Sequence, residues 1–253
     1  MNNCAGRGGI DEMSRYWEDT VYEQPSEEKI RKNAADTVQK EKKKGKVLSP
    51  VIISGRAIAK EWWGKAWCEN LERYADYESR LDRGKRYVRT GAVVDLQIQK
   101  GKINARVQGR RKTPYKVEIR ISPLSEERCQ NIIALCGDKI QNLEVLMEGN
   151  FPEELREAFL QRGGLFPEPK EIGFGCSCPD WALMCKHVAA VLYGVGARFD
   201  ENPLLFFELR GLDVGRLIDV TLADRVEKML GNADRPSDRI IRQEDYLKIF
   251  GLC

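Results

Sequence analysis

The sequence predicts an α+β protein in which an antiparallel β-meander is flanked by helices and followed by a helical C-terminal region. Apolar and polar residues alternate over residues 94–121, apolar residues recur at helical spacing on either side, and turn-forming residues separate these segments. The chain has 253 residues, of which 42% are hydrophobic and 32% charged, so it can bury a core of ordinary globular size.

The first fifty residues carry few branched apolar side chains. They include a basic run at residues 40–46, in which five lysines accompany Glu41. We expect residues 1–50 to form a mobile charged arm with at most one marginal helix. The lysines could contact phosphates, although a solvated charge run is the commoner explanation.

Residues 51–164 are predicted to form an α+β domain that begins with a helix. Trp63, Trp67, Leu71 and Tyr74 recur at spacings of four, four and three, which places them on one helical stripe. These aromatic side chains could stack on nucleic-acid bases, but a stripe of this kind more often packs into a core.

The clearest strand pattern follows this helix. Apolar and polar residues alternate from Val94 to Gln99, a turn is predicted at Gly101, and two further alternating runs occupy residues 103–108 and 115–121. The pattern predicts a three-stranded antiparallel meander with one apolar and one polar face.

Further helices are predicted after the meander. Ser125 can cap one helix, and a shorter one begins at Pro152 and ends at Gly163. The glycines and prolines of residues 165–175 mark a boundary. Residues 201–253 are predicted to form a C-terminal region of two or three short helices that ends in "EDYLKIF" at 244–250.

The stretch "CSCPDWALMCKH", residues 176–187, holds three of the eight cysteines and the single histidine. Cys176, Cys178, Cys185 and His187 form a Cys-x-Cys, six-residue gap, Cys-x-His pattern. Three thiolates and an imidazole are a complete tetrahedral ligand set for Zn²⁺, so we predict a closed zinc site. Lys186 is placed to offset the negative charge of such a centre. A metal-free cluster or a disulfide is the alternative, which a reducing compartment disfavours.

The ligands are predicted to lie on a strand that ends near Cys176 and on a helix that begins near His187. We expect Gly194 and Gly196 to stop that helix, and Trp181 to cover the apolar side of the site. We also expect the metal to hold strand and helix together, because this region has too little apolar mass to do so alone.

The cluster and the following helix, "CSCPDWALMCKHVAAVLYGVG", resemble the SWIM zinc finger, and all four metal positions match. The resemblance implies a small strand-strand-helix zinc module, here residues 165–200, used in DNA binding or protein contact. Upstream, "GRAIAKEWWGKAWCENLERYADYESRLDRGKRYVRTG" and "VQGRRKTPYKVEIRI" resemble bacterial and archaeal SWIM proteins associated with Snf-type helicase-like ATPases. This implies such an ATPase as a candidate partner.

Basic residues are concentrated around the meander, although the net charge of the chain is only +3. From Arg83 to Arg120 there are twelve basic residues against two acidic ones. Such a surface can bind nucleic-acid phosphates with little sequence discrimination. The residues do not separate DNA from RNA, whereas the resemblance favours DNA. The candidate contacts are Arg106, Arg110, Arg111, Lys112, Lys116 and Arg120.

The sequence shows no catalytic motif. It has no Gly-x-x-x-x-Gly-Lys-Ser/Thr loop, and a single histidine excludes a His-Glu-x-x-His helix. The predicted zinc site uses that histidine, so a Cys-His nucleophile would dismantle it. We therefore predict a protein that is not an enzyme; an enzyme whose metal site opens is the weakest alternative.

Two functional hypotheses remain. The first is a zinc-containing nucleic-acid-binding accessory factor, and the second is a protein–protein adaptor whose zinc module binds a partner without nucleic-acid contact. The sequence lacks the apolar run of a secretory signal and the roughly 18 apolar residues of a membrane span. We accordingly expect a cytoplasmic protein with no membrane partner.

Overall fold

The computed structural model describes residues 25–139 and 153–233, and this part of the chain has the predicted α+β architecture. The helices are α1 (Glu27–Lys43), α2 (Trp62–Glu72), α3 (Glu78–Arg89), α4 (Glu126–Lys139), α5 (Glu153–Leu160), α6 (Lys186–Glu201), α7 (Leu204–Arg210) and α8 (Val214–Ala233). The strands are β1 (Val93–Gln99), β2 (Lys102–Val107), β3 (Tyr115–Ile121) and β4 (Ile172–Cys176), and a short 3₁₀ turn, Pro169–Glu171, precedes β4.

The sheet is antiparallel with the order β1-β2-β3-β4, and its first three strands form the predicted meander. The turn between β1 and β2 uses Gly101 at φ 69°, a conformation that favours glycine. Strand β4 pairs with β3, with Cys176 opposite Val117. The described residues of the 165–200 segment therefore contain one strand, and its partner belongs to the meander rather than to a separate strand-strand-helix module.

Helix α6 lies at the centre of the molecule and is buried on almost every side. It packs against the sheet and against α2 and α3. The expectation that Gly194 and Gly196 stop it was wrong, because α6 continues to Glu201. Both glycines are points of close approach: a Cβ on Gly196 would lie 2.7 Å from Cys68 Sγ, and one on Gly194 would lie 3.1 Å from Val51 Cγ2.

The aromatic stripe of α2 packs into the core. Trp63 and Trp67 are buried, and their indole N–H groups donate to the carbonyls of Phe199 (3.0 Å) and Leu192 (2.9 Å). Tyr74 lies just beyond the end of α2 and packs against the same core. The indole groups thus satisfy their donors on the α6 backbone, which favours packing over base stacking as their role.

Residues 25–50 differ from the mobile arm that was predicted for residues 1–50. Ile30 and Ala34, one helical turn apart on α1, are buried, and Ser26 caps the helix by accepting from Lys29 N. The following segment runs beside β1, where Leu96 N donates to Ser49 O at 2.9 Å. The average composition of this segment gave no indication that one side of α1 is apolar. Residues 1–24 lie outside the described residues.

One hydrophobic cluster joins residues from the predicted 51–164, 165–200 and 201–253 segments. The zinc module was expected to lack apolar mass, but α6 and β4 share this cluster with the meander. The helices predicted after Ser125 and Pro152 correspond to α4 and α5, and α7 and α8 are C-terminal helices. Pro152 itself and the helix predicted at 244–250 lie outside the described residues.

Helices α3 and α6 meet at Gly84, where an added Cβ would lie 2.5 Å from Ala189 Cβ and 3.1 Å from backbone atoms. We expect Gly84→Ala to separate the two helices and to lower the free energy of unfolding by about 1–3 kcal/mol, measured by urea denaturation. Gly231→Ala in α8 is the control, because no described atom lies within 4 Å of its added Cβ. Alanine there should be neutral or stabilise by up to about 1 kcal/mol. Equal effects of the two substitutions would contradict the close helix contact.

Candidate metal centre

The four predicted ligands lie together where β4 ends and α6 begins. Cys176 is the last residue of β4, Cys185 immediately precedes α6, His187 is in the first turn of that helix, and Cys178 lies in the loop between them. The four ligand atoms all lie within 4.8 Å of one another. His187 Nδ1 is 3.8 Å from Cys176 Sγ and 3.9 Å from Cys185 Sγ.

These distances and donor types fit a tetrahedral metal ion. Zinc–sulfur bonds of about 2.3 Å and zinc–nitrogen bonds of about 2.0 Å at tetrahedral angles separate the ligand atoms by roughly 3.5–3.8 Å. Sulfur and imidazole nitrogen donors suit zinc and other borderline or soft ions, whereas magnesium and calcium require oxygen. The cluster could therefore hold a metal ion, and all five cysteines whose side chains are described are free thiols.

The proximity of the thiols changes their proton affinities. The hydrogen bond between Cys176 and Cys185 raises the pKa of Cys176, and burial adds to the effect. Burial also raises the pKa of Cys178. The pKa of Cys185 falls to about 4, because Cys176 hydrogen-bonds to it and because His187 and the backbone N–H of Val188 favour the thiolate. A cation would let the other two thiols ionise.

The loop that carries the ligands is held by α3 and by the connection that precedes it. The carboxylate of Asp76 accepts the backbone N–H groups of Leu183 (2.8 Å) and Met184 (3.3 Å). Arg80 in α3 forms an ion pair with Asp180 at 3.2 Å. These contacts fix the loop before it reaches Cys185.

His187 is oriented by aromatic side chains. Its ring is 2% exposed, stacks on Tyr115 with a centroid distance of 4.3 Å, and meets the edge of Tyr87 at 5.5 Å. Nδ1 faces the cysteines. Nε2 is buried and has no hydrogen-bond partner among residues 25–139 and 153–233. The imidazole thus has one nitrogen directed at the metal position and one nitrogen left for another contact.

Trp181 does not cover the site, contrary to expectation. It is 79% exposed, and its ring meets that of Tyr77 edge-on at 5.7 Å. Leu183 in the same loop is 65% exposed. The rings of Tyr115 and Tyr87 take the position beside His187 instead. The ligand loop therefore presents two large apolar side chains to solvent.

The six candidate nucleic-acid contacts are divided between the polar face of the sheet and the loop that joins β2 to β3. Arg106 pairs with Glu41 of α1 at 3.2 Å, and Arg120 pairs with Glu118 at 2.7 Å. The pKa of Glu41 is lowered mainly by its hydrogen bond to Lys44 and further by Arg106. The pKa of Glu118 is lowered mainly by its hydrogen bond to Lys102 and further by Arg120. Lys116 is exposed on the polar face of β3. On the sheet, the basic charge is thus partly neutralised within the chain.

The other three candidates lie in the exposed loop between β2 and β3. Arg110 and Arg111 line a cavity, together with Arg83 and Arg86 of α3 and Lys186 of α6. Sequence reasoning counted the two α3 arginines in the basic run but assigned them no site. Their spacing of three residues, which puts them on one side of the helix, was the available signal.

None of the described helices combines the length and the apolar character that crossing a lipid bilayer requires. No protein-family model matches the sequence, and no solved structure matches it. The chain is similar to a Mycobacterium tuberculosis protein named "Uncharacterized protein Rv2102", with 33% identity over 180 residues. The match covers 70% of this chain and 65% of that protein, so the chain spans less than two thirds of the relative's length.

The raised pKa values of Cys176 and Cys178 predict that metal binding displaces two protons. Metal affinity should therefore weaken as pH falls, by roughly 100-fold per pH unit between pH 8 and 7. A Co²⁺ absorbance titration at both pH values measures this slope. Cys178→Ser, which removes one displaced proton, should reduce the slope to about tenfold. Equal Co²⁺ affinity of the parent protein at pH 7 and pH 8 would contradict binding of the metal by thiols that lose their protons.

Proposed function

We propose that the chain is a SWIM-type zinc protein that binds nucleic acid, with DNA as the expected form, as a non-catalytic accessory factor in the cytoplasm. The observation that carries the proposal is the convergence of three cysteines and one histidine within 4.8 Å at the junction of β4 and α6. The order of the ligands along the chain, Cys-x-Cys before Cys-x-His, supports the SWIM assignment. Their sulfur and nitrogen donors support zinc.

The completeness of the ligand set supports a non-catalytic role for this site. Catalytic zinc sites keep one position for water or substrate, whereas four protein ligands close the site. The metal would then serve to fix the ligand loop. The resemblance to SWIM proteins associated with Snf-type helicase-like ATPases supports such an ATPase as the protein partner that the factor would assist.

The zinc assignment is tested by elemental analysis of the purified protein. We expect about one zinc per chain in the parent and a substantial loss in Cys178→Ser, because three ligands hold zinc more weakly than four. Cys68→Ala is the matched control, since this half-buried thiol lies outside the cluster. A parent protein without zinc, or a Cys178→Ser variant with full zinc content, would contradict the proposal.

Nucleic-acid binding is tested by fluorescence anisotropy with duplex and single-stranded DNA at two salt concentrations. We expect the affinity to fall as salt rises, because phosphate contacts release counterions. The combined change of Arg110, Arg111 and Lys112 to Ala should weaken binding and lower the salt slope by roughly one for each lost phosphate contact.

A second variant serves as the matched control for this test. Arg106 and Arg120 are engaged by Glu41 and Glu118, so their combined change to Ala should weaken binding less than the loop variant does. If the loop variant binds DNA as tightly as the parent, the loop is not the contact surface. If the parent shows no salt-dependent DNA binding, the nucleic-acid function fails.

A protein–protein adaptor is the second candidate function, and one observation favours it. Trp181 and Leu183 are 79% and 65% exposed on the ligand loop, next to Tyr77. Exposed aromatic side chains of this kind are enriched at protein interfaces. A protein with full zinc content but no DNA binding would support this candidate over the first.

A further inference from the structure

A cavity of about 360 Å³ lies beside the metal centre, between α3, the β2–β3 loop and the starts of α1 and α6. Its volume is in the range of small-molecule sites. Five basic side chains and one acidic side chain, that of Glu27, line it. The basic residues come from three separate parts of the chain and are Arg83, Arg86, Arg110, Arg111 and Lys186.

The metal centre borders this cavity through His187. If a metal ion binds Nδ1 of His187, the neutral imidazole carries its proton on Nε2. Nε2 is buried and has no partner among the described residues, and His187 is one of the cavity-lining residues. A methyl group at position 109 would lie 2.7 Å from Tyr115 Cε2 and 3.3 Å from Nε2, so Gly109 packs closely against both rings. The imidazole of His187 therefore forms part of the cavity wall.

The start of α6 adds to the preference for negative charge. Lys186 is the first residue of this 16-residue helix, and the N-terminal end of a helix favours anions. Arg111 stacks over Tyr115 with its guanidinium carbon 5.5 Å from the ring centroid, which holds the loop against the cavity wall. Arginine recognises phosphate oxygens through paired hydrogen bonds.

We propose that this cavity is a binding site for a phosphate monoester. A monoester carries about −1.5 to −2 charges at neutral pH and presents three oxygens to donors, whereas a backbone phosphodiester carries one charge. Five basic groups around one small cavity match the monoester better. The proposal deepens the proposed function, because the monoester could be the terminal phosphate of a nucleic-acid strand; a free mononucleotide offers the same chemistry.

The test combines two kinds of probe. Isothermal titration calorimetry with AMP measures binding of a free monoester. Fluorescence anisotropy with two single-stranded oligonucleotides of one sequence, one 5′-phosphorylated and one 5′-hydroxyl, measures recognition of a strand end. We expect AMP binding, at least tenfold tighter binding of the phosphorylated strand, or both. AMP binding alone would identify a free nucleotide as the ligand, and strand discrimination alone would identify the strand end.

Arg83→Gln should remove the measured monoester binding. Arg111→Gln, on the exposed loop, should weaken it, and this variant takes the place of Arg83→Gln in the test if Arg83→Gln fails to fold. Arg120→Gln is the control, because this arginine lies outside the cavity lining and pairs with Glu118. Zinc content is measured for every variant, so that loss of the metal centre is not mistaken for loss of the cavity.

Absence of both AMP binding and strand discrimination in the zinc-loaded parent protein would overturn the proposal, as would equal losses in Arg83→Gln and Arg120→Gln. DNA binding that is salt-dependent but indifferent to the 5′-phosphate, without AMP binding, would retain the proposed function and reject the cavity site. AMP binding that depends on Arg83, without DNA binding, would retain the cavity site and reject the proposed function.

Discussion

The burial of α6 is the constraint on which the rest of the structure depends. Its side chains contact the apolar face of the sheet, and Gly84 and Gly196 let α3 and α2 approach it closely. A helix that is apolar on all sides can only be accommodated at the centre of a fold. Because its first turn carries His187 and the preceding residue is Cys185, core packing also sets the position of half the metal ligands.

The metal centre is consequently built on a supported frame. Cys176 is held by the pairing of β4 with β3, and the ligand loop is held by Asp76 and by the Arg80–Asp180 pair. In small zinc modules the ion supplies much of the folding energy, because they have little core. Here the strand and the helix share a large hydrophobic cluster, so a metal ion bound by the four ligands would supply a smaller part of the folding free energy.

The sequence predicted the features that depend on local patterns, namely the meander, the stripe of α2 and the grouping of the four candidate metal ligands. It did not predict the course of α6 through Gly194 and Gly196, because a glycine that ends a helix and a glycine that admits a neighbour are identical in sequence. The environment of Trp181 and the grouping of Arg83 with Lys186 depend on contacts between residues about 100 positions apart. The periodicity of apolar residues gives no information about such contacts. The apolar side of α1 consists of a few residues among many lysines, and average composition concealed it.

The distribution of charge bears on function more directly than the net charge of +3 does. On the polar face of the sheet, Glu41 and Glu118 each pair with two basic side chains, so they offset only part of the basic charge there. Around the cavity, α3, the β2–β3 loop and α6 bring five basic residues against one acidic residue. Because α3 and α6 also hold the ligand loop and His187, the same packing positions the metal centre and the basic cavity. Anion recognition and metal binding are therefore expected to depend on one structural unit rather than on two independent surfaces.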